Sequence, residues 1–127
     1  WRLSGIYRDV FLRSEAPVDL ADLELRPGLE DDYTTGTLRF RPTVANHTAA
    51  ATEVEVKLEL ADPSGALVRT VELTLAIPAH GQASLDHMLP ALPGVARWSA
   101  ETPALYEATV TLSSAGHTIS VHKIRTG

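Results

Sequence analysis

The sequence predicts an all-β domain, an immunoglobulin-sized two-sheet antiparallel sandwich of about seven strands, and three observations carry that prediction. Apolar and polar side chains alternate with period two along several segments, which puts one set on a core face and the other in water. Turn-forming residues separate those segments at intervals of roughly 8–12 residues, the spacing of sandwich hairpins. No stretch sustains the 3.6-residue period of an amphipathic helix, and only residues 85–92 leave room for a single helical turn.

Taken in order, the first segment is the least regular. Val18 and Leu20 share one parity and Leu23 and Leu25 the other. A bulge or bend near Ala21 reconciles them, as happens where a strand passes from one sheet to another. Leu38, Phe40 and Val44 then face one side, opposed by Thr37, Arg39, Arg41 and Thr43. Pro42 lies on the apolar parity but has no N–H to donate, so this strand is expected at a sheet edge or bulged there. Val54, Val56, Leu58 and Leu60 alternate with Glu53, Glu55, Lys57 and Glu59, the clearest amphipathic strand in the chain. Asp62-Pro63-Ser64-Gly65 has the residues of a type I turn and should join that strand to the next. Val71, Leu73, Leu75 and Ile77 form the following set, ended by Pro78-Ala79-His80-Gly81. Pro93 and Gly94 break the stretch between Leu89 and Trp98. Tyr106, Ala108, Val110 and Leu112 alternate with Glu107, Thr109 and Thr111. Ala115-Gly116 marks the last hairpin, after which Ile119 and Val121 indicate a short final strand.

Size and composition narrow the function classes. The 127 residues fit one domain, because single cores commonly occupy about 100–150 residues. There is no cysteine, which excludes disulfides and thiolate zinc sites and suits a cytoplasmic location. The formal net charge is −5 with no basic tract, so nucleic acid is not an expected partner. No apolar run approaches the ~20 residues of a membrane span, and no basic-then-apolar leader opens the chain. Trp1 begins directly in a patterned apolar segment, as expected of a piece of a longer polypeptide.

Two segments carry more specific information. Trp1-Arg2-Leu3-Ser4-Gly5-Ile6-Tyr7-Arg8-Asp9-Val10-Phe11-Leu12 resembles the segment of family 2 glycoside hydrolases in which a sugar-binding jelly roll ends. Asp9 gives it the form of the β-galactosidases, where related β-glucuronidases tend to have proline. Trp98-Ser99-Ala100-Glu101-Thr102-Pro103-Ala104-Leu105-Tyr106 is similar to a signature late in that family's immunoglobulin-like sandwich domain. Glu30-Asp31-Asp32-Tyr33 agrees with the family as well, whereas Lys123-Ile124-Arg125-Thr126-Gly127 departs from its usual exit at Ile124 and Thr126. In physical terms, Trp98 offers a large apolar anchor and Pro103 fixes the backbone before the strand beyond it. Arg8 has two readings, a bidentate partner for a carboxylate at a domain junction or an arginine lying along the surface.

The resemblance implies a division at residues 1–14, the jelly-roll end and linker, and 15–127, the sandwich. It implies as partners the jelly roll and a (β/α)8 barrel of the same chain, in a homo-oligomeric parent enzyme. A retaining glycosidase needs two carboxyl groups about 5–5.5 Å apart, and in this family both are barrel glutamates, the acid/base following an asparagine. Here the sole asparagine, Asn46, precedes His47, and no alternating helices are available for a barrel. The expectation is therefore no catalytic, cofactor or metal residue in this segment, with any magnesium or sodium requirement belonging to the parent.

Other constellations have bland readings. Glu30-Asp31-Asp32 reads as a solvated turn rather than a cation site. His47, His80, His87, His117 and His122 lack metal-ligand spacing, and on a regular strand His117 and His122 face opposite ways. Ser4-Gly5 and Ser64-Gly65 lack a nucleophile elbow. Glu53, Glu55 and Glu59 form a water-facing row. In some β-galactosidases a loop of this domain completes a neighbouring subunit's site. Residues 79–97 are compact for such an insertion, with a contribution from residues 80–92 left open. The leading reading is a non-catalytic spacer of a β-galactosidase that retains configuration. The alternatives are a stand-alone carbohydrate-binding or adhesion module, or the same domain of a β-glucuronidase or β-mannosidase.

Overall fold

The computed structural model describes residues 16–127, and the first signature, including Trp1, Ile6 and Arg8, lies outside them. The described chain is an antiparallel sandwich of two sheets without a helix. Its strands are β1 (Val18–Leu29), β2 (Thr35–Asn46), β3 (Thr52–Ala61), β4 (Leu67–Ile77), β5 (Gly81–Ser84), β6 (His87–Met88), β7 (Leu92–Pro93), β8 (Tyr106–Ser114) and β9 (His117–Thr126). One sheet runs β1-β2 and then β5, with β6 and β7 on that same far edge of β2; the other runs β4-β3-β8-β9. Seven strands match the expected number, and the two-residue β6 and β7 are extra. β6 lies within residues 85–92, where the helical turn had room, and β7 begins at its last residue; the chain pairs with β2 at both.

The alternating patterns assemble the core as expected. Val54, Val56, Leu58 and Leu60 of β3 face Phe40 and Val44 of β2 across the sandwich, with Leu75, Ile77, Ala108, Val110 and Leu112 completing the layer. Phe40, Val56, Leu58, Val110 and Leu112 are wholly inaccessible to solvent. Each such side chain contributes about 1.5–3 kcal/mol by leaving water.

Two bulges explain the remaining pattern. The register of β1 against β2 shifts between Leu20 and Asp22, so the bulge falls at Ala21 as the parities required. The strand nonetheless stays in one sheet on both sides of it. A second bulge was not legible. Ser113 pairs with Thr118 but Leu112 with Ser120, which leaves Ile119 as the extra residue. Ile119 packs on the core, whereas Val121 turns outward and is 53% exposed. The last strand is therefore long, and its inner face continues through His122 and Ile124 rather than Val121.

Pro42 corrects an expectation. The β2 strand is central, pairing β1 on one side and β5, β6 and β7 on the other, with Leu23 opposite Pro42 and no bulge there. The Pro42 carbonyl accepts from the Leu85 N–H at 3.1 Å. In a strand the N–H and C=O of one residue point to the same side. The missing donor of Pro42 thus faces Leu85 in the interruption between β5 and β6, where the pairing keeps only the bond that Leu85 donates.

The turns match their residues. Asp62 accepts from the Ser64 and Ala66 amides, Gly65 donates to the Asp62 carbonyl at 2.8 Å, and Gly65 adopts φ 92°. Ala115 and Gly116 both have positive φ, 50° and 81°, the geometry of a two-residue I′ hairpin.

Candidate functional site

The strands give the sandwich two ends. At one, β1 begins opposite the last residue of β2, Val18 beside Asn46, and Gly81 and Ile77 close the same end. At the other, β9 ends at Thr126 opposite Tyr106, whose hydroxyl accepts from the Ala96 amide at 3.0 Å. Val95 in turn donates to Thr34, next to the start of β2.

Asn46 organises the first end and was invisible as a structural residue in the sequence. It is 1% exposed. Its amide donates to the carbonyls of Ala50 at 2.9 Å and Pro78 at 3.1 Å, while its Oδ1 accepts from the Thr48 amide and hydroxyl. One side chain thereby satisfies both the β2–β3 and β4–β5 connections. Its role is architectural.

The acidic triplet lies at the second end. Asp32 accepts from the Thr35 hydroxyl at 2.7 Å and from the Thr34 and Thr35 amides, each at 2.8 Å. Those bonds, the hydroxyl's foremost, lower its pKa from 3.8 to about 2. The carboxylate is consumed in shaping the β1–β2 turn, in which Tyr33 takes φ 56°. Asp62 is likewise held below the usual carboxylate range, chiefly by the Ser64 hydroxyl and the Ala66 amide.

The histidines are dispersed. His47 lies 3.5 Å from Asp19, His80 sits in a turn with φ 51°, and His117 closes the last hairpin. His87 pairs opposite Phe40, and His122 lies 3.0 Å from the Ser120 hydroxyl, its burial pushing its pKa down. The Ile119 bulge cancels the opposition expected of a regular strand: His122 pairs with Val110 and His117 with Ser114, two residues on the same face of β8. Among the described residues no group of three or more His, Asp or Glu side chains is placed to hold a metal ion. Glu53 and Glu55 are exposed, and Glu59 lies 3.3 Å from Lys57, the water-facing row that parity predicted.

A charged ladder on the outer face of the first sheet was not anticipated. Arg39 binds Asp86 through two bonds of 2.8 and 2.6 Å, and Arg41 lies 3.3 Å from Glu24, which also pairs with Arg26. Arg39 holds the Asp86 carboxyl below its usual range. The bidentate pair fixes residues 84–87 along β2. Arg69, turned inward beside a bulge at Val68, donates to the Ala91 carbonyl at 2.7 Å and secures the next part of that stretch.

Trp98 is not a buried anchor. It is 51% exposed. A Cβ placed on Gly127 would lie 3.3 Å from its ring and 2.9 Å from Leu105, so the signature closes around the last residue of the chain. Ser99 and Thr102 tie the signature's turn through a 2.8 Å hydroxyl pair.

The described residues define a two-sheet, immunoglobulin-like antiparallel β-sandwich. Its sequence places it more narrowly: the profile of Glycosyl hydrolases family 2 matches residues 18–127, and the chain belongs to that family. It is 35% identical, over its whole length, to a β-galactosidase of Lactobacillus delbrueckii subsp. bulgaricus, of which it covers 12%. It is 37% identical over 116 residues, 88% of this chain and 11% of the relative, to a β-galactosidase of Klebsiella pneumoniae. The fold is also that of part of a Parabacteroides merdae β-glucuronidase, with TM-score 0.70, 18% identity, and coverage of 86% of this chain and 13% of that one. The chain is thus a β-galactosidase-like domain spanning about an eighth of the length of these relatives.

Proposed function

We propose that this chain is the inter-domain spacer of a β-galactosidase that cleaves terminal β-galactosides with retention, and that it performs no chemistry itself. One observation carries the reading. The β1 strand starts at the Asn46 end and β9 finishes at the Trp98 end, so the polypeptide entering the sandwich and the polypeptide leaving it are held apart by the length of a strand. With a rise of roughly 3.3 Å per residue, that is about 35 Å. In this reading residues 1–14 finish a jelly roll and a (β/α)8 barrel lies beyond residue 127, in a cytoplasmic homo-oligomer whose magnesium or sodium need, if any, resides outside the spacer. The names of the sequence relatives favour galactosides; the glucuronidase likeness concerns the fold alone.

The stretch open to an active-site role, residues 80–92, is bound down instead. Leu85 and Leu89 donate to Pro42 and Leu38, and Arg69 holds Ala91. Assay of the purified chain with a nitrophenyl galactoside tests the proposal: no nitrophenol is expected above the buffer rate. Release that an internal substitution abolishes would overturn it.

The exposed Trp98 and Tyr33 support a second reading, a sugar-binding module. An NMR titration with galactosides separates the two, since localised shifts at those rings with millimolar or tighter affinity would favour the module.

A further inference from the structure

Each sheet has two edges, and an edge presents unpaired backbone N–H and C=O groups on which a further strand can add. Three of the four are obstructed. The β1 edge is bent by the bulge at Ala21, contains Pro27 and carries Asp19, Asp22, Glu24 and Arg26. The opposite edge of that sheet is broken into β5, β6 and β7. The β9 edge is kinked by the extra Ile119 and carries inward His122 together with Lys123 and Arg125. Bulges, prolines, charges and short strands are the devices that keep sheet edges from pairing.

The β4 edge lacks them over most of its length. Its one register shift falls at Val68, and from Arg69 to Ile77 it runs against β3 without interruption. Arg69 closes the edge at its start by reaching the Ala91 carbonyl. Beyond it no described strand pairs with β4 on the side away from β3. Between Thr70 and Ile77 there is no proline, and Glu72 is the only charged residue. Thr70, Glu72, Thr74 and Ala76 are exposed on the outer face, and Val71 and Leu73 are only partly buried against the core.

We propose that β4 is a self-pairing edge: two copies of this chain join antiparallel through β4, about a two-fold axis at Leu73, and merge their four-stranded sheets into one. The strand's own pattern selects a second copy as the occupant. Leu73 is the midpoint of the uninterrupted stretch from Arg69 to Ile77, so pairing about it uses the whole stretch. On the core side Val71 then meets Leu75, and Leu73 meets its own copy. On the outer side Thr70 meets Ala76, and Glu72 meets Thr74. Apolar residues oppose apolar ones, and no charge opposes its like. An axis at Glu72 would set that carboxylate directly against its copy, a destabilising pair. An axis nearer either end would run the pairing into the Val68 bulge or into Pro78. The contact is isologous and closes on itself, so it stops at two copies. It stands apart from the spacer reading, because the edge belongs to this chain whatever its parent does.

Sedimentation and hydrogen exchange of the chain, over a dilution series reaching about 1 mM, test the proposal. A single strand pair is a small contact, so monomer should give way to dimer toward the top of that range. Alternate amides between Thr70 and Ala76 should gain protection with concentration, while those of β1 and β9 keep their rates. Thr74→Glu places a carboxylate opposite Glu72 of the second copy, twice per dimer, and should weaken association at least tenfold. Adding Glu72→Lys makes the facing charges opposite and should restore it. Thr118→Glu, exposed on β9 and remote from the edge, should leave it unchanged. These exposed substitutions should leave the fold intact. A chain that stays monomeric throughout, a dimer indifferent to Thr74→Glu, or protection gained at β1 or β9 instead would overturn the proposal. So would a loss that Glu72→Lys fails to rescue.

Discussion

At the Asn46 end, small residues and histidines form the turns, and a single buried amide gathers carbonyl and hydroxyl groups from two connections. At the Trp98 end the turns are set by exposed carboxylates, and aromatic and aliphatic side chains stand in solvent. The same sheets supply both ends, so the contrast is not imposed by the fold. An end whose polar groups are satisfied from within is finished as it stands. An end that leaves Trp98, Tyr33 and Leu67 in solvent beside mostly acidic turns is not closed from within.

That contrast presupposes a rigid body between the ends, and the largest predicted effect would break it. Val56 is wholly buried at the centre of β3, and Val56→Asp would bury an unpaired carboxylate at a cost of several kcal/mol. Against a typical stability of about 5–15 kcal/mol, urea melts should show a largely or wholly unfolded variant; an unchanged midpoint would refute the strand assignment. Next, Asn46→Ala should lower stability by about 1–3 kcal/mol, because the Ala50 and Pro78 carbonyls and the Thr48 amide lose the buried side chain that joins them. A change under about 0.5 kcal/mol, the level of ordinary surface substitutions, would show that this end does not depend on its buried amide.

The Trp98 end should respond to pH instead. The folded pKa of Asp32 lies below its ordinary 3.8, at about 2. Its contribution is therefore complete above the unfolded value and disappears as pH falls through the folded one. Asp32→Ala should melt lower than the parent sequence at pH 6, with the two melting curves converging as pH approaches 2; a gap independent of pH would deny the carboxylate its turn-forming role. The smallest effect belongs to the outer face between the ends, where Glu55→Ala should stay within about 0.5 kcal/mol by denaturant titration.

Much of the fold is legible in the sequence because side-chain parity is a local property. Val54 through Leu60 announce which face is core, and the parity change between Leu20 and Leu23 locates the bulge at Ala21. Pro42 misleads because its missing donor was judged without the gap between β5 and β6 that receives it. Ile119 misleads because a bulge keeps it inward while turning Val121 out. The role of Asn46 depends on partners contributed by distant turns, Pro78 among them, which no local pattern reveals. The Trp98 signature is recognisable in sequence, but its exposure is a property of the packed end.

The absence of cysteine makes the central claim directly measurable, because paired spin labels can be placed without competing thiols. Labels introduced by Ser64→Cys and Ala79→Cys flank β4, one at each end of the sandwich. Dipolar spectroscopy should give a single narrow distance near 35 Å, roughly the length of that strand plus its turns, and the same distance in the parent polypeptide. A broad distribution, or a distance that changes when the neighbouring domains are present, would contradict a rigid spacer.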